Sequence, residues 1–155
     1  MGGDILIDYM AAQHDSALFF TCSLIELIGR MTHQERGKVV SIMGRDTIAH
    51  IYEYADILHS EPIEKTATEF MTRCNIPQGR FDNIGSCRYM VPDYWDIGEV
   101  YQRLIIDVKG DDDTIDTLMS VYSSPTDHNI SNYNSDFYYQ PREYIAYCHK
   151  QGTIS

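Results

Sequence analysis

ALFFTCSLIELIGRM, residues 17–31, is apolar around nearly its whole circumference when it is drawn as a helix. The positions that are not plainly hydrophobic are Thr21, Ser23, Glu26, Gly29 and Arg30. A helix that is apolar on all sides must be enclosed by other elements. The stretch is too short to cross a bilayer, which needs about 20 mostly apolar residues. We therefore expect residues 16–31 to form the buried central helix of a small helical domain.

The residues that precede this stretch predict a separate short helix. Asp4 can cap a helix over residues 5–13, and either Asp15 or Ser16 can cap the central helix. Such caps work because a side-chain oxygen accepts hydrogen bonds from the unpaired amides of a first turn. We expect the chain to break between these two helices.

Glycine and proline residues set the ends of the later helices. Gly44 and Gly110 can end helices, and Pro62 and Pro92 can begin them, because glycine adopts left-handed backbone angles and proline suits a first turn. The further predicted helices cover residues 34–43, 46–59, 60–74, 92–109, 114–122 and 141–149. The helix that follows Pro92 carries the clearest apolar stripe of these and is the expected chief partner of the central helix. Together these signals predict a single all-α domain over residues 1–155, with seven to eight short helices.

A long irregular loop is predicted over residues 75–91, where Pro77, Gly79 and Gly85 interrupt any regular pattern. The candidate binding residues lie on this loop and beside it: Arg73, Arg80, Arg88, Tyr89 and Trp95. Arginine and aromatic side chains are typical anchors of protein interfaces. The simpler interpretation is that the rings cover the core and the arginines form surface ion pairs, which contribute little stability.

The chain is strongly acidic, with 12 Lys and Arg against 23 Asp and Glu, which gives a net charge of -11. The stretch from Asp93 to Asp136 is especially rich in carboxylates. Such a charge opposes binding to the phosphates of nucleic acids and to anionic membrane surfaces. We therefore expect neither a nucleic-acid nor a membrane role, and we expect a partner protein to be basic.

One local exception is a basic strip formed by Arg30, Arg36, Lys38 and Arg45. The two helices that flank Gly44 have the proportions of a helix-turn-helix, whose second helix enters the major groove of DNA. That second helix, over residues 46–59, carries carboxylates that phosphates would repel. The sequence therefore does not favour DNA binding.

No catalytic motif is recognisable, since the chain lacks a nucleophile elbow, a Walker loop and a dinucleotide-binding glycine pattern. We expect no metal and no cofactor. The four cysteines form no C-x-x-C pair, and the first residues lack the basic segment of a signal peptide. We therefore expect a cytoplasmic protein with reduced thiols.

Two functions remain consistent with these observations. The leading hypothesis is a non-catalytic protein-binding module of the inhibitor, antitoxin or adaptor type, whose acidic carboxyl-terminal half meets a basic partner. The alternative is a small-molecule binder or an enzyme in which Arg73, Arg80 and Arg88 hold an anionic ligand, with Cys87 or a histidine nearby.

Overall fold

The structure is a computed structural model that describes residues 2–152. In this range the chain forms eight α-helices, one short 3-10 helix and no β-strand, so the predicted all-α fold and number of helices are confirmed. The α-helices are α1 (Gly2–Thr32), α2 (Arg36–Glu53), α3 (Ala55–Leu58), α4 (Ile63–Arg73), α5 (Tyr94–Lys109), α6 (Thr114–Tyr122), α7 (Thr126–Ser131) and α8 (Arg142–Gln151), and the 3-10 helix is Phe137–Tyr139. None of these helices combines the length and the apolar character needed to span a membrane.

α1 is one uninterrupted helix of 31 residues, so the prediction of a separate helix over residues 5–13 was wrong. Asp15 and Ser16 remain helical and do not cap a new helix. A residue that can cap a helix does not force a break, and neither glycine nor proline interrupts residues 4–28. α1 ends at Thr32, and the next residue takes a left-handed φ of 53°.

The carboxyl-terminal half of α1, residues 17–31, is the buried centre of the fold, as predicted. Its side chains Ile25 and Ile28 are fully enclosed. α5 packs most extensively against α1, as predicted, and α2 and α4 also cover it. α1 and α5 approach so closely at Gly98 that a Cβ atom there would lie 2.1 Å from Ser23 Oγ. The absence of a side chain at this position therefore permits the main helix contact of the core.

α2 is kinked at Gly44, whose φ of 81° lies outside the helical region, and this confirms the predicted break at that residue. The helix after Gly44 was predicted to continue to residue 59. Instead, Tyr54 leaves the helical conformation, with φ -105° and ψ 17°, and separates α2 from α3. The predicted helix is therefore present but divided.

The segment between α4 and α5 has no regular structure, so the predicted long loop over residues 75–91 is confirmed. Its first part is fixed to the end of α1 by the backbone. The Gly79 N–H donates to the Thr32 carbonyl oxygen at 2.8 Å, and the Phe81 N–H donates to the His33 carbonyl oxygen at 2.9 Å. The loop is thus irregular but anchored.

Candidate functional site

The polar residues in the buried half of α1 belong to a charged network behind the loop. Glu26 is fully buried, and its two carboxylate oxygens accept hydrogen bonds from Arg36, at 3.0 Å from Nε and 2.9 Å from Nη2. Arg30 Nε lies 2.8 Å from Glu26 Oε2, and the Tyr133 hydroxyl donates to the same oxygen. Two guanidinium groups and one phenol therefore share a single carboxylate.

This network reaches the loop and α7. Arg36 Nη2 donates to Asn83 Oδ1 at 3.0 Å, and Asn83 Nδ2 donates to the Ser131 carbonyl oxygen at 3.0 Å. At the far end of the loop, Arg30 Nη2 donates to the Pro92 carbonyl oxygen at 2.7 Å. The network therefore joins α1, α2, the loop and α7.

Glu26 keeps its charge inside the protein because its partners outweigh the effect of burial. Burial alone would raise the pKa of Glu26, but the charges of Arg36 and Arg30 and the hydrogen bonds from Arg36 and Tyr133 lower it. Burial also opposes the charge of Arg36, yet the neighbouring carboxylate raises the pKa of that guanidinium. Because these groups engage one another away from solvent, they offer no free group to a substrate.

The predicted basic strip is not a surface feature. Arg36 is fully buried and the Arg30 side chain is only 14 % exposed, because both bind Glu26. Arg45 is on the surface, but it pairs with two carboxylates at the beginning of α6, at distances of 3.0 and 2.7 Å. The expectation of a strip was wrong because the sequence did not show which acids lie opposite each arginine.

A second buried cluster joins α2, α5, α6 and α7. The Tyr101 hydroxyl donates to Asp127 Oδ1 at 2.5 Å, and the Gly37 N–H donates to Asp127 Oδ2 at 3.0 Å. Burial raises the pKa of Asp127, although these two hydrogen bonds oppose the change. The Tyr101 ring stacks on Tyr122, with 4.3 Å between the ring centroids. Sequence reasoning missed this cluster, since its members are widely separated in the chain.

A cavity of about 610 Å³ opens between the loop and the segment after α7, and Arg80 is the one predicted binding residue that lines it. Its polar lining is mainly asparagine and serine. Arg88 lies beside the cavity, since its N–H donates at 2.8 Å to the side chain of Asn134, which is part of the lining. The Cys87 thiol lies 3.4 Å from the Tyr89 carbonyl oxygen. Residues of the predicted loop therefore do border a cavity.

The other predicted residues have different surroundings. Arg73, at the end of α4, lies over the Phe70 ring at 4.9 Å from its centroid. Trp95, on α5, is half-buried and packs against Phe19, with 5.4 Å between the ring centroids. Tyr89 is 67 % exposed. Trp95 thus covers the core, as the simpler interpretation expects. The exposed Tyr89 does not, and Arg73 contacts a ring where that interpretation expects an ion pair.

The three predicted arginines nevertheless share one property. Five of the arginines form ion pairs with carboxylates: Arg30, Arg36, Arg45, Arg103 and Arg142. Within residues 2–152, Arg73, Arg80 and Arg88 form none. Unpaired arginines are unexpected in a protein of net charge -11. Their guanidinium groups are therefore available to an anion.

A larger groove, of about 700 Å³, lies between α5, the end of the loop, the 3-10 helix and α8. Its apolar lining includes Pro92, Val100, Leu104 and Ile145, and charged side chains and two tyrosines surround it. Grooves of this volume and character are typical of binding sites. The sequence did not predict it, because its walls come from segments that are distant in the chain.

The amino-terminal part of α1 is exposed on every side. All of residues 5–16, called the arm below, are exposed, whereas Leu18 is 2 % exposed. At 1.5 Å per residue the arm is about 18 Å long. Exposure around the whole circumference shows that most of the arm extends beyond the rest of the described chain. Its last residues still touch other helices, since Gln102 Nε2 of α5 donates to the Asp15 carbonyl oxygen at 3.0 Å and the His14 ring lies 6.2 Å from that of Tyr52.

The arm is an acidic amphipathic helix. Its large apolar side chains, which are between 50 % and 74 % exposed, are Ile5, Leu6, Ile7, Tyr9 and Met10. At about 100° per residue, four of these share one face, whereas Asp8 and Asp15 lie towards the opposite one. Residues 1–29 contain neither lysine nor arginine. This pattern was present in the sequence, but the sequence did not show that the apolar face is uncovered.

Comparisons with protein-family models, with curated proteins and with solved structures find no match for this chain. No relative therefore assigns a function to the arm, to the groove or to the loop cavity. The function of these three features is therefore inferred from the chemistry of the residues that form them.

Proposed function

We propose that this protein is a non-catalytic, cytoplasmic protein-binding module and that its arm inserts into an apolar groove on a basic partner. The observation that carries the proposal is the exposed apolar face of the arm. Amphipathic helices bind in this way when anchors along one face fill a hydrophobic groove. The free thiols of all four cysteines support a reducing compartment. Inhibitors, antitoxins and adaptors are proteins of this type.

Burial of the arm would supply a large share of the binding free energy. The four side chains on its apolar face are Ile5, Leu6, Tyr9 and Met10. At about 1.5–3 kcal/mol for each side chain that goes from full exposure to full burial, they contribute at most about 6–12 kcal/mol, since all four are partly covered in the free chain. Association itself costs about 4–15 kcal/mol, so a tight complex needs a further contact. We therefore expect the partner to touch a second surface of this protein as well.

The charge of the arm selects between the surfaces that an amphipathic helix can bind. Membrane-binding helices usually carry lysine and arginine on their polar face, whereas this arm carries Asp8 and Asp15. A second copy of the chain would bring another net charge of -11, which opposes association. A basic protein complements both the apolar and the acidic face.

Site-specific crosslinking tests this proposal. A photoreactive benzoyl-phenylalanine replaces Met10, and the protein is irradiated in an extract of source cells. We expect a covalent adduct with a basic protein, identified by mass spectrometry. The adduct should disappear with Leu6→Asp, which places a carboxylate on the apolar face. It should persist with Ile57→Asp, a matched control, because Ile57 is 62 % exposed on α3.

Three results of this experiment would contradict the proposal. One is the absence of any adduct that depends on Leu6. Another is an adduct with a second copy of the chain, which size-exclusion chromatography with light scattering would show independently. The third is equal loss of the adduct with Leu6→Asp and with Ile57→Asp, since the arm would then have no special role.

A second candidate function is the binding of a small anion at the loop cavity, which the unpaired Arg80 and Arg88 favour. Arginine binds carboxylate and phosphate groups through its planar set of donors. A ligand that binds only the folded state raises the melting temperature. Thermal-shift measurements with inorganic phosphate and with citrate should show stabilisation that Arg80→Ala removes and Arg45→Ala retains. No stabilisation by either anion would exclude this function.

A further inference from the structure

The groove beside α5 is large enough for a short polypeptide segment. Its walls run along α5 from Asp93 to Leu104, a distance of about 16 Å at 1.5 Å per residue. About five residues of extended chain span that length at 3.3 Å each. The groove is closed on its other side by the 3-10 helix and by Ile145 of α8. An occupant therefore contacts apolar side chains from three elements at once.

The charges around the groove do not cancel. Arg103 pairs with Glu99 at 2.9 Å, and Arg142 pairs with Asp107 at 2.7 Å. The Asp96 carboxylate is exposed and forms no hydrogen bond or ion pair within residues 2–152. The neighbouring Asp93 carboxylate accepts only the cap hydrogen bond from the N–H of Trp95 among the described groups. Two carboxylates of the groove are thus available to a cation.

Two tyrosines stand at the same groove. The Tyr138 and Tyr139 rings lie nearly perpendicular, with an interplanar angle of 79° and centroids 5.0 Å apart. Aromatic faces attract ammonium and guanidinium ions through the ring quadrupole. Burial raises the pKa of Tyr138, and nearby negative charge, including that of Asp96, adds to the effect. Asp96, Tyr138 and Tyr139 all line this groove, so a cation bound there meets the carboxylate and the rings together.

We propose that this groove binds an apolar segment of the partner protein that carries a lysine or arginine, with the cation placed between Asp96 and the rings of Tyr138 and Tyr139. The inference rests on the proposed function and supplies the second contact that the arm requires. Apolar side chains of the segment contact Met90, Val91 and Val100, in front of the almost fully buried Leu104 and Ile145, while its cation meets the uncompensated acidic charge. The carboxylate and the rings make the groove prefer a segment with a positive charge. The apolar lining alone would bind charged and uncharged segments without this preference.

A set of matched peptides tests the groove separately from the arm. The probes are the pentapeptides ALKLA, ALQLA and ALELA, acetylated and amidated so that only the central side chain differs in charge. Each is titrated into the full chain while methyl NMR signals are followed. We expect ALKLA to shift signals of Val100, Leu104 and Ile145 and to bind at least about three-fold more tightly than the other two peptides.

The preference for lysine should depend on Asp96. With Asp96→Asn we expect ALKLA to bind no more tightly than ALQLA. Asp56→Asn serves as the control, since it changes the net charge equally but lies on α3, beside a different cavity, and it should keep the preference. The inference is overturned if none of the peptides shifts these signals, if all three bind equally, or if Asp96→Asn retains the preference.

The arm and the groove can fail independently. Leu6→Asp should bind ALKLA as the parent chain does, because residue 6 is not part of the groove. Absence of an adduct that depends on Leu6, together with normal binding of ALKLA, would contradict the role of the arm and leave the groove proposal intact. A Leu6-dependent adduct without any peptide binding would contradict the groove proposal and leave the role of the arm intact.

Discussion

The two halves of α1 share one helix but have opposite surroundings. Residues 17–31 are enclosed by α2, α4 and α5, and their polar groups bind partners from remote parts of the chain. Residues 5–16 are exposed on all sides, although they contain several large apolar side chains. The composition of the buried half is explained by this chain alone. The composition of the arm is not, and this is why we assign the arm to a partner.

Within the buried half of α1, the largest loss of stability is expected from a substitution of Glu26. Glu26→Gln leaves Arg36 fully buried without a counter-charge, and loss of one member of a buried pair costs about 3–5 kcal/mol. Urea unfolding followed by circular dichroism measures the free energy of unfolding. A loss below about 1 kcal/mol would be typical of exposed pairs and would contradict the importance of this network.

A double substitution separates the charge from the packing. Glu26→Leu combined with Arg36→Met removes the two fully buried charges and keeps apolar volume, a change that is often neutral or stabilising in other proteins. Arg30 loses its carboxylate in this variant, but its side chain is 14 % exposed and keeps the hydrogen bond to the Pro92 carbonyl oxygen. We expect the double variant to be more stable than Glu26→Gln. Equal losses would show that the hydrogen bonds to Asn83 and the loop, and not the charge pair, dominate the network.

The sequence predicted the buried half of α1 well because the information is local. Caps, glycines and prolines mark helix ends, and an apolar circumference marks burial, so the break at Gly44 and the helix from Asp93 to Gly110 could be predicted. The continuity of α1 through Asp15 could not, since a residue that caps a helix is also tolerated inside one. Whether the helix continues or breaks at Asp15 depends on which of the two conformations has the lower free energy.

The candidate sites were less predictable because they are assembled from distant segments. Glu26 and Arg30 stand four residues apart on an apolar helix, a spacing that indicates a shared face. Nothing local showed that Arg36 and Tyr133 complete their network. The groove likewise needs α5 and α8 to be placed together. By contrast, Arg80 and Arg88 were proposed from composition alone, and the structure adds that no carboxylate within residues 2–152 pairs with them.

A smaller effect is expected where α1 meets α5. Gly98→Ala introduces a Cβ atom 2.1 Å from Ser23 Oγ and 2.8 Å from Ser23 Cα, so the two helices must separate. Overpacking of this kind costs about 1–3 kcal/mol, partly offset by the higher helix propensity of alanine. The free energy of unfolding measures the loss. An unchanged stability would mean that the two helices can separate at this point without cost.

The penalty of Glu26→Gln should itself depend on pH. The pKa of Glu26 is lower in the folded protein than in the unfolded chain. Ionisation of Glu26 therefore contributes its full stabilisation at a pH above its pKa in the unfolded chain. This stabilisation is lost as the pH falls through the pKa of Glu26 in the folded protein. Folding raises the pKa of Asp127, so its effect on the pH dependence of stability has the opposite sign. Asp127 is present in both proteins, and its effect cancels in the difference between them. Urea unfolding at pH 7, 5 and 4 should therefore show a stability difference that shrinks towards acid. A difference that grows would contradict this.

The smallest effect is expected in the arm. Leu6→Ala should change the free energy of unfolding by less than about 0.5 kcal/mol, because the side chain is 58 % exposed.

The arm is helical because it continues a helix that is already nucleated in the core, yet a segment of about 12 residues is only marginally stable in water. Amide hydrogen exchange should therefore be fast in residues 5–16 and slow in residues 17–31 of the isolated protein. Binding of a partner should slow exchange in the arm. Protection of the arm before any partner is added would mean that this chain already covers its apolar face, and the reason to infer a partner would be lost.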